Sequence, residues 1–203
     1  MRRERLGIFG GTFNPPHIGH RHAAEAFVRE ATLDNLLVIP DYLPPHKEYA
    51  GEVTAKERFD MTCLAFRGIP RTVVSDAEFR RGGKSYTSDT LASFASPERD
   101  LFLLTGTDMF LTLPAWHEPQ KIFALAEIVC IRRERDDRLA REIEEAAAAY
   151  RTTYGARVRL LSSPVVEVSS TELRRGLALR APSVAELLPE GVYAYIEERG
   201  LYL

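Results

Sequence analysis

His17 and His20 lie three residues apart in Gly10-Gly11-Thr12-Phe13-Asn14-Pro15-Pro16-His17-Ile18-Gly19-His20, and imidazoles so spaced can donate to phosphoryl oxygens or carry a proton. The apolar run Leu6-Gly7-Ile8-Phe9 before them predicts a buried strand. Behind them, Ala23, Ala24, Phe27 and Val28 predict a helix beginning near Ile18 to His20. Gly10 and Gly11 offer backbone conformations closed to other residues where the strand ends, and Pro15 and Pro16 stiffen the approach to the helix. Both histidines then stand at a helix N-terminus, where N–H groups and partial positive charge attract phosphate. A bare His-x-Gly-His also suits a helix-capping turn with two solvated histidines. Set between a strand and a helix, it has the placement of a nucleotide site in an α/β protein.

A second such segment is Val168-Ser169-Ser170-Thr171-Glu172-Leu173-Arg174. Ser169 and Glu172 read as a capping box opening a short helix through Leu177. Arg174 is not needed for the cap. One turn inside the helix, it can fold back on phosphates gathered at that N-terminus.

Elements that would position these residues alternate along the chain. Strands are expected at Leu6-Phe9, Leu36-Ile39, Thr72-Val74, Leu101-Thr105, Ile128-Ile131 and Val158-Leu161. Helices are expected at His20-Ala31, Thr54-Phe66, Thr87-Ala95, Gln120-Ala126 and Asp137-Tyr150, with Val184-Leu188 and Val192-Arg199 forming a helical tail. This order predicts an α/β fold, a Rossmann-like doubly wound parallel sheet with helices on both faces, over a single domain spanning 1-203. Ligands in such sheets bind outside the carboxyl ends of the strands.

Further segments fall at those ends. Pro40-Asp41-Tyr42-Leu43-Pro44-Pro45-His46-Lys47 is a rigid loop that either delivers His46 and Lys47 to phosphate or is a Pro-rich surface turn. In Thr105-Gly106-Thr107-Asp108, Gly106 permits close backbone approach, and Asp108 either accepts from a ribose hydroxyl or, like Thr107, caps a helix. Trp116, the one tryptophan, either stacks on a heteroaromatic ring or belongs to the core.

Composition sets the outer bounds. With 203 residues, 45% apolar content and a formal net charge of −2, the chain can bury one core and carries no global basic bias toward nucleic acid. Cys63 and Cys130 read as small buried hydrophobes in a reducing compartment. With neither a signal-peptide pattern nor a membrane-length apolar run, a cytoplasmic protein is expected. No His, Cys and carboxylate spacing suggests a permanent metal site. Composition does not decide between a monomer and a homo-oligomer.

The first segment and Ser169-Ser170-Thr171-x-x-Arg174 resemble the two signatures of the nucleotidyltransferase superfamily. Six segments in order narrow that resemblance to the bacterial nicotinate-nucleotide adenylyltransferases: the opening motif, Pro-Pro-His-Lys, Ser85-Tyr86-Thr87-x-x-Thr90, Gly106-x-Asp108, Pro114-x-Trp116 and the closing motif. The similarity runs from Leu6 to Gly200-Leu201-Tyr202. It implies adenylyl transfer from ATP to nicotinic acid mononucleotide, with Mg²⁺ arriving on ATP. His17, His20 and Arg174 would act on the reacting phosphates. Gly10, Gly11, Thr12, Phe13, Gly106, Asp108, Ser169, Ser170 and Thr171 would join His20 and Arg174 around ATP. His46, Lys47, Ser85, Tyr86, Thr87 and Trp116 would hold the acceptor. Family members commonly carry Arg-Pro-Gly after the fifth strand, whereas this chain has Ile131-Arg132-Arg133-Glu134-Arg135, so either Arg132 or Arg133 takes the arginine role. Class I aminoacyl-tRNA synthetases share the first motif, but the chain lacks Lys-Met-Ser-Lys-Ser. Nicotinamide mononucleotide and phosphopantetheine are the alternative acceptors, and a non-catalytic nucleotide sensor is the alternative from another class.

Overall fold

The computed structural model describes residues 2–44, 53–132, 135–164 and 166–203. The elements in chain order are β1 (Glu4–Gly11), α1 (Ile18–Glu30), β2 (Asn35–Pro40), α2 (Ala55–Ala65), β3 (Thr72–Val74), α3 (Ala77–Arg81), α4 (Thr87–Phe94), β4 (Arg99–Gly106), α5 (Thr107–Thr112), α6 (Pro119–Leu125), β5 (Ala126–Ile131), α7 (Asp137–Tyr154), β6 (Val158–Leu160), α8 (Ser170–Ala178) and α9 (Glu190–Arg199). Every strand pair is parallel, and the sheet order is β3-β2-β1-β4-β5-β6. This is the doubly wound sheet the alternation predicts, in a single domain. Strand order reverses between β1 and β4, so a crevice opens beyond their carboxyl ends, at Gly11 and Gly106.

Period-2 alternation distributes the core to both faces of the sheet. Leu6 and Ile8 of β1 and Leu101 and Leu103 of β4 join Phe110, Ile122, Ile128 and Ile143 on one face. Phe9, Phe102 and Leu104 join Phe27, Leu173, Val192 and Ile196 on the other. Gly7 is forced by packing: a Cβ there would come within 2.4 Å of Leu33 Cδ1 and 2.9 Å of the Phe27 ring. Burying a side chain such as Phe27 contributes roughly 1.5–3 kcal/mol.

Several boundaries differ from expectation for local reasons. Helix α2 sits between Thr54, which forms a capping box with Glu57, and its C-cap Phe66. Helix α7 runs past Tyr150 because Tyr150 and Tyr154 both pack on Phe123, and it stops at left-handed Gly155. The expected helix over Val184-Leu188 is a 3₁₀ segment, Pro182–Leu187, bounded by Pro182 and by Pro189, the N-cap of α9. Helices α3 and α5 have five and six residues, too few for a periodic pattern to reveal. Among the described residues no helix is long and apolar enough to cross a membrane.

Candidate active site

The turn from β1 into α1 uses its glycines differently from expectation. Gly10 and Gly11 are not in left-handed conformations; the left-handed residue is Phe13, with φ 47°. Strand β1 continues through Gly11, which pairs with Pro40, and a Cβ on Gly11 would meet the Phe13 ring at 3.1 Å. That ring is buried and lies edge-on to Phe9, His20 and Phe66, with centroids 5.3, 5.1 and 5.6 Å away. Packing energy of this kind can hold the strained backbone of a functional loop. His17 is the N-cap of α1 and is 1% exposed; His20 is half-buried in the first turn. Their ring centroids are 3.7 Å apart, and the main-chain N–H of His17 donates to His20 Nδ1 at 3.2 Å. Gly19 completes the arrangement, since a Cβ there would press on the His17 ring at 3.1 Å and on the Val166 carbonyl at 3.5 Å.

The second motif lies against the first. Ser169 is the N-cap of α8, but its hydroxyl accepts from the Thr171 amide at 3.3 Å; the reciprocal box with Glu172 is not the cap used. Ser170 instead donates across the site to the Pro15 carbonyl at 3.0 Å. Arg174 donates to the Asn14 carbonyl at 2.8 Å and to the Thr171 hydroxyl at 3.2 Å, bridging two motifs 160 residues apart. His22 bonds the Pro164 carbonyl at 2.8 Å, and the Tyr202 hydroxyl bonds the Asn14 side chain.

Opposite, the loop after β2 pairs with the approach to α4. The Ser85 amide donates to the Leu43 carbonyl, and the Ser85 hydroxyl accepts from the Tyr42 amide, both at 2.9 Å. Tyr86 is the N-cap of α4, so Thr87 opens that helix, and the Tyr86 ring lies 4.2 Å from that of His117. At the end of β4 it is Gly106 that occupies the N-cap of α5, not Thr107 or Asp108. Thr107 is buried, and Asp108 is exposed in the first turn. Half-buried Trp116 donates from its indole to the Thr112 hydroxyl at 3.3 Å.

These segments enclose one cleft of about 1250 Å³. Its wall includes Gly10, Gly11, Thr12, Phe13, His17, His20, Ser85, Tyr86, Thr87, Gly106, Asp108, Trp116, Arg132, Ser169, Ser170, Thr171 and Arg174. His46, Lys47 and Arg133 lie outside the described residues. Sequence reasoning missed Asp41, Arg58, Glu78 and Tyr202. Arg58 is 1% exposed, and its guanidinium donates to the Thr12 carbonyl at 2.9 Å and the Tyr42 carbonyl at 3.2 Å, tying both cleft loops to α2. A basic residue inside a helical pattern reads as solvent-facing, so nothing in the one-dimensional pattern marked it. Tyr202 was visible only as part of the closing segment.

Among the described residues, no three His, Cys, Asp or Glu side chains converge as a protein-held metal site would require. Of the carboxylates that line the cleft, Asp41 accepts from the Thr12 hydroxyl at 3.2 Å and Asp108 lies in the first turn of α5. Such a donor set fits a divalent ion that takes its ligands mainly from phosphate and water.

A family model described as cytidylyltransferase-like matches residues 8–176. The chain is 33% identical over 216 residues to the "Probable nicotinate-nucleotide adenylyltransferase" of Desulfatibacillum aliphaticivorans, covering 98% of this chain and 100% of the relative. It is 36% identical over 211 residues to the protein of the same name from Trichlorobacter lovleyi, covering 98% and 99%. Its fold is similar to that of the Plasmodium falciparum nicotinic acid mononucleotide adenylyltransferase complexed with NaAD. There the TM-score is 0.77 at 16% identity, over 98% of each chain.

Proposed function

The chain belongs to the cytidylyltransferase-like family and, within it, to the nicotinate-nucleotide adenylyltransferases, and we propose that the cleft described above carries out their reaction. The protein is a nucleotidyltransferase. It moves the adenylyl group of ATP onto nicotinic acid mononucleotide, giving nicotinic acid adenine dinucleotide and pyrophosphate in NAD synthesis.

An oxygen of the acceptor's phosphate attacks the α-phosphorus of ATP, and the bond from that phosphorus to the pyrophosphate oxygen breaks. The attacking oxygen is already anionic, so no protein base or covalent intermediate is needed. The protein's task is to align the two nucleotides and stabilise charge as it builds. We assign His17 and His20 to the reacting phosphates. Arg174 and the first turn of α8 hold the triphosphate, with Lys47 adding positive charge. Gly106 and Asp108 serve the adenosine; Tyr86, Thr87 and Trp116 surround the pyridine ring, and Arg132 also lines the cleft. Divalent metal accompanies ATP in this family; we take the ion to be Mg²⁺, which would neutralise part of the triphosphate charge, and Asp41 and Asp108 are cleft carboxylates that could accept from its bound water.

The observation that carries this assignment is the bridge from Arg174 to Asn14, which brings the start of α8 onto the histidine loop at the point where strand order reverses. Pyrophosphate release with ATP and Mg²⁺ tests it, with nicotinic acid mononucleotide, nicotinamide mononucleotide and phosphopantetheine supplied in parallel. Fast release with the first and none with phosphopantetheine is expected. Release with phosphopantetheine alone would refute the reading.

A further inference from the structure

The mechanism leaves one buried charged group of the cleft wall without a task. Glu78 of α3 is 5% exposed and lines the cleft. Its Oε1 accepts from the Thr90 hydroxyl at 2.6 Å and lies 3.6 Å from Arg81 Nη2, while Arg81 Nη1 donates to the same hydroxyl at 2.9 Å. Its other oxygen, Oε2, is buried and has no hydrogen-bond partner among the described residues. Thr90 in turn sits one turn inside α4, with its hydroxyl 3.3 Å from the Tyr86 carbonyl. The carboxylate is therefore held directly beneath the start of α4.

Burying a carboxylate with one bare oxygen is costly unless positive charge compensates it. Arg81 approaches the carboxylate at Oε1, and no donor among the described residues bonds Oε2. The ion pair with Arg81 is long, at 3.6 Å, so a positive charge arriving from the cleft side would stabilise the carboxylate further, acting through space because Oε2 is buried. Nicotinic acid mononucleotide carries such a charge: its ring nitrogen is bonded to ribose, so the ring is a pyridinium cation with no N–H to donate. Adenine is neutral and would add no positive charge beside Glu78 if ATP entered this half of the cleft. We propose that Glu78 is a specificity-determining residue, the buried counter-charge for the pyridinium ring of the acceptor. This rests on the reading of the cleft as an acceptor site for nicotinic acid mononucleotide. The acceptor half then answers each charge of its ligand separately: backbone N–H groups at the start of α4 for the ring carboxylate, the Trp116 face for the ring, and Glu78 for its positive charge.

The test compares KM for nicotinic acid mononucleotide with KM for its neutral-ring isostere, the 3-carboxyphenyl C-riboside 5′-phosphate, at saturating ATP and Mg²⁺. For the unsubstituted enzyme the neutral isostere should have a KM about tenfold higher, the scale of one charge interaction across a partly desolvated wall. In Glu78→Gln the ratio should fall to within about threefold, the residue being the cation–π share of Trp116, with KM for ATP unchanged. Thr90→Val, which keeps the charge and removes the hydroxyl, should preserve the tenfold ratio. Equal KM values in the unsubstituted enzyme would overturn the inference, as would a Glu78→Gln variant that raises both values by the same factor, the mark of a purely structural support. Absence of turnover with nicotinic acid mononucleotide in the unsubstituted enzyme would overturn the reading of the cleft and the inference with it.

Discussion

The main-chain N–H of His17 donates to Nδ1 of His20, and the two imidazoles lie tilted at 34° with centroids 3.7 Å apart. A backbone amide can only donate, so Nδ1 of His20 is the accepting nitrogen and the ring's proton is on Nε2. One cap contact thus sets which atom of His20 can donate to phosphate.

The first prediction follows from that geometry. His20→Asn retains an acceptor near the Nδ1 position but has no donor where Nε2 was, so the variant should fold and lose on the order of 10²-fold in kcat. His17→Ala should lose about as much, with a smaller change in acceptor KM. Steady-state kinetics on variants with native circular dichroism decide this, and near-normal kcat in both would remove the histidines from the chemistry.

Arg174 spans the Asn14 carbonyl and the Thr171 hydroxyl, two directions that a planar guanidinium satisfies together and an ammonium does not. Arg174→Ala should raise KM for ATP about tenfold or more while acceptor KM moves little, and Arg174→Lys should restore less than half of the loss. A chelator in excess should stop turnover, and added Mg²⁺ should recover it. Unchanged ATP kinetics in Arg174→Ala, or full activity in chelator, would contradict the assignment.

Arg58 acts on stability and on the site at once. Its buried guanidinium holds the Thr12 and Tyr42 carbonyls, so Arg58→Met should cost about 3 kcal/mol and raise KM for both substrates, because both cleft loops lose their tie. Urea denaturation reads the first effect. A midpoint equal to that of the unsubstituted protein would show that the buried charge is not an anchor.

Alkaline stability should depend on Tyr150. Burial pushes its phenol up to about 12, with Tyr154 and Cys130 adding to the shift, while its hydroxyl donates to the Phe110 carbonyl at 2.7 Å. A phenol that ionises later in the folded state than in the unfolded one stabilises the fold fully below about pH 10. That contribution drains away as pH rises from about 10 to about 12. Thermal midpoints should fall across this window, and less steeply in Tyr150→Phe. Equal slopes in the two proteins would refute the coupling.

Sequence carried the sheet well, because the strands of a two-faced parallel sheet are short continuous apolar runs such as Leu101 to Thr105, and it carried both motifs because their residues are chemically unusual and close in sequence. Arg58, Glu78 and the Tyr202 contact were illegible for one shared reason. Each acquires its role by meeting a residue of another segment, 12 positions away for Glu78 and Thr90, 46 for Arg58 and Thr12, and 188 for Tyr202 and Asn14. Phe13 was half-read: its place in the motif was evident, but its left-handed backbone and its service as packing for His20 depend on Phe9 and Phe66 converging from other elements. The role of the glycines was misjudged because a need for space and a need for positive φ leave the same letter in the sequence.

We propose that the cleft selects, as acceptor, the pyridine nucleotide with a ring carboxylate over the one with a carboxamide. Charge-assisted bonds from the start of α4 to the ring carboxylate are stronger than bonds to a neutral carboxamide. The most direct measurement is the ratio of kcat/KM for nicotinic acid mononucleotide to that for nicotinamide mononucleotide, at one ATP and one Mg²⁺ concentration. A ratio of at least about tenfold in favour of the acid is expected, equivalent to about 1.4 kcal/mol of differential transition-state binding. Equal specificity constants, or a preference for the amide, would contradict it.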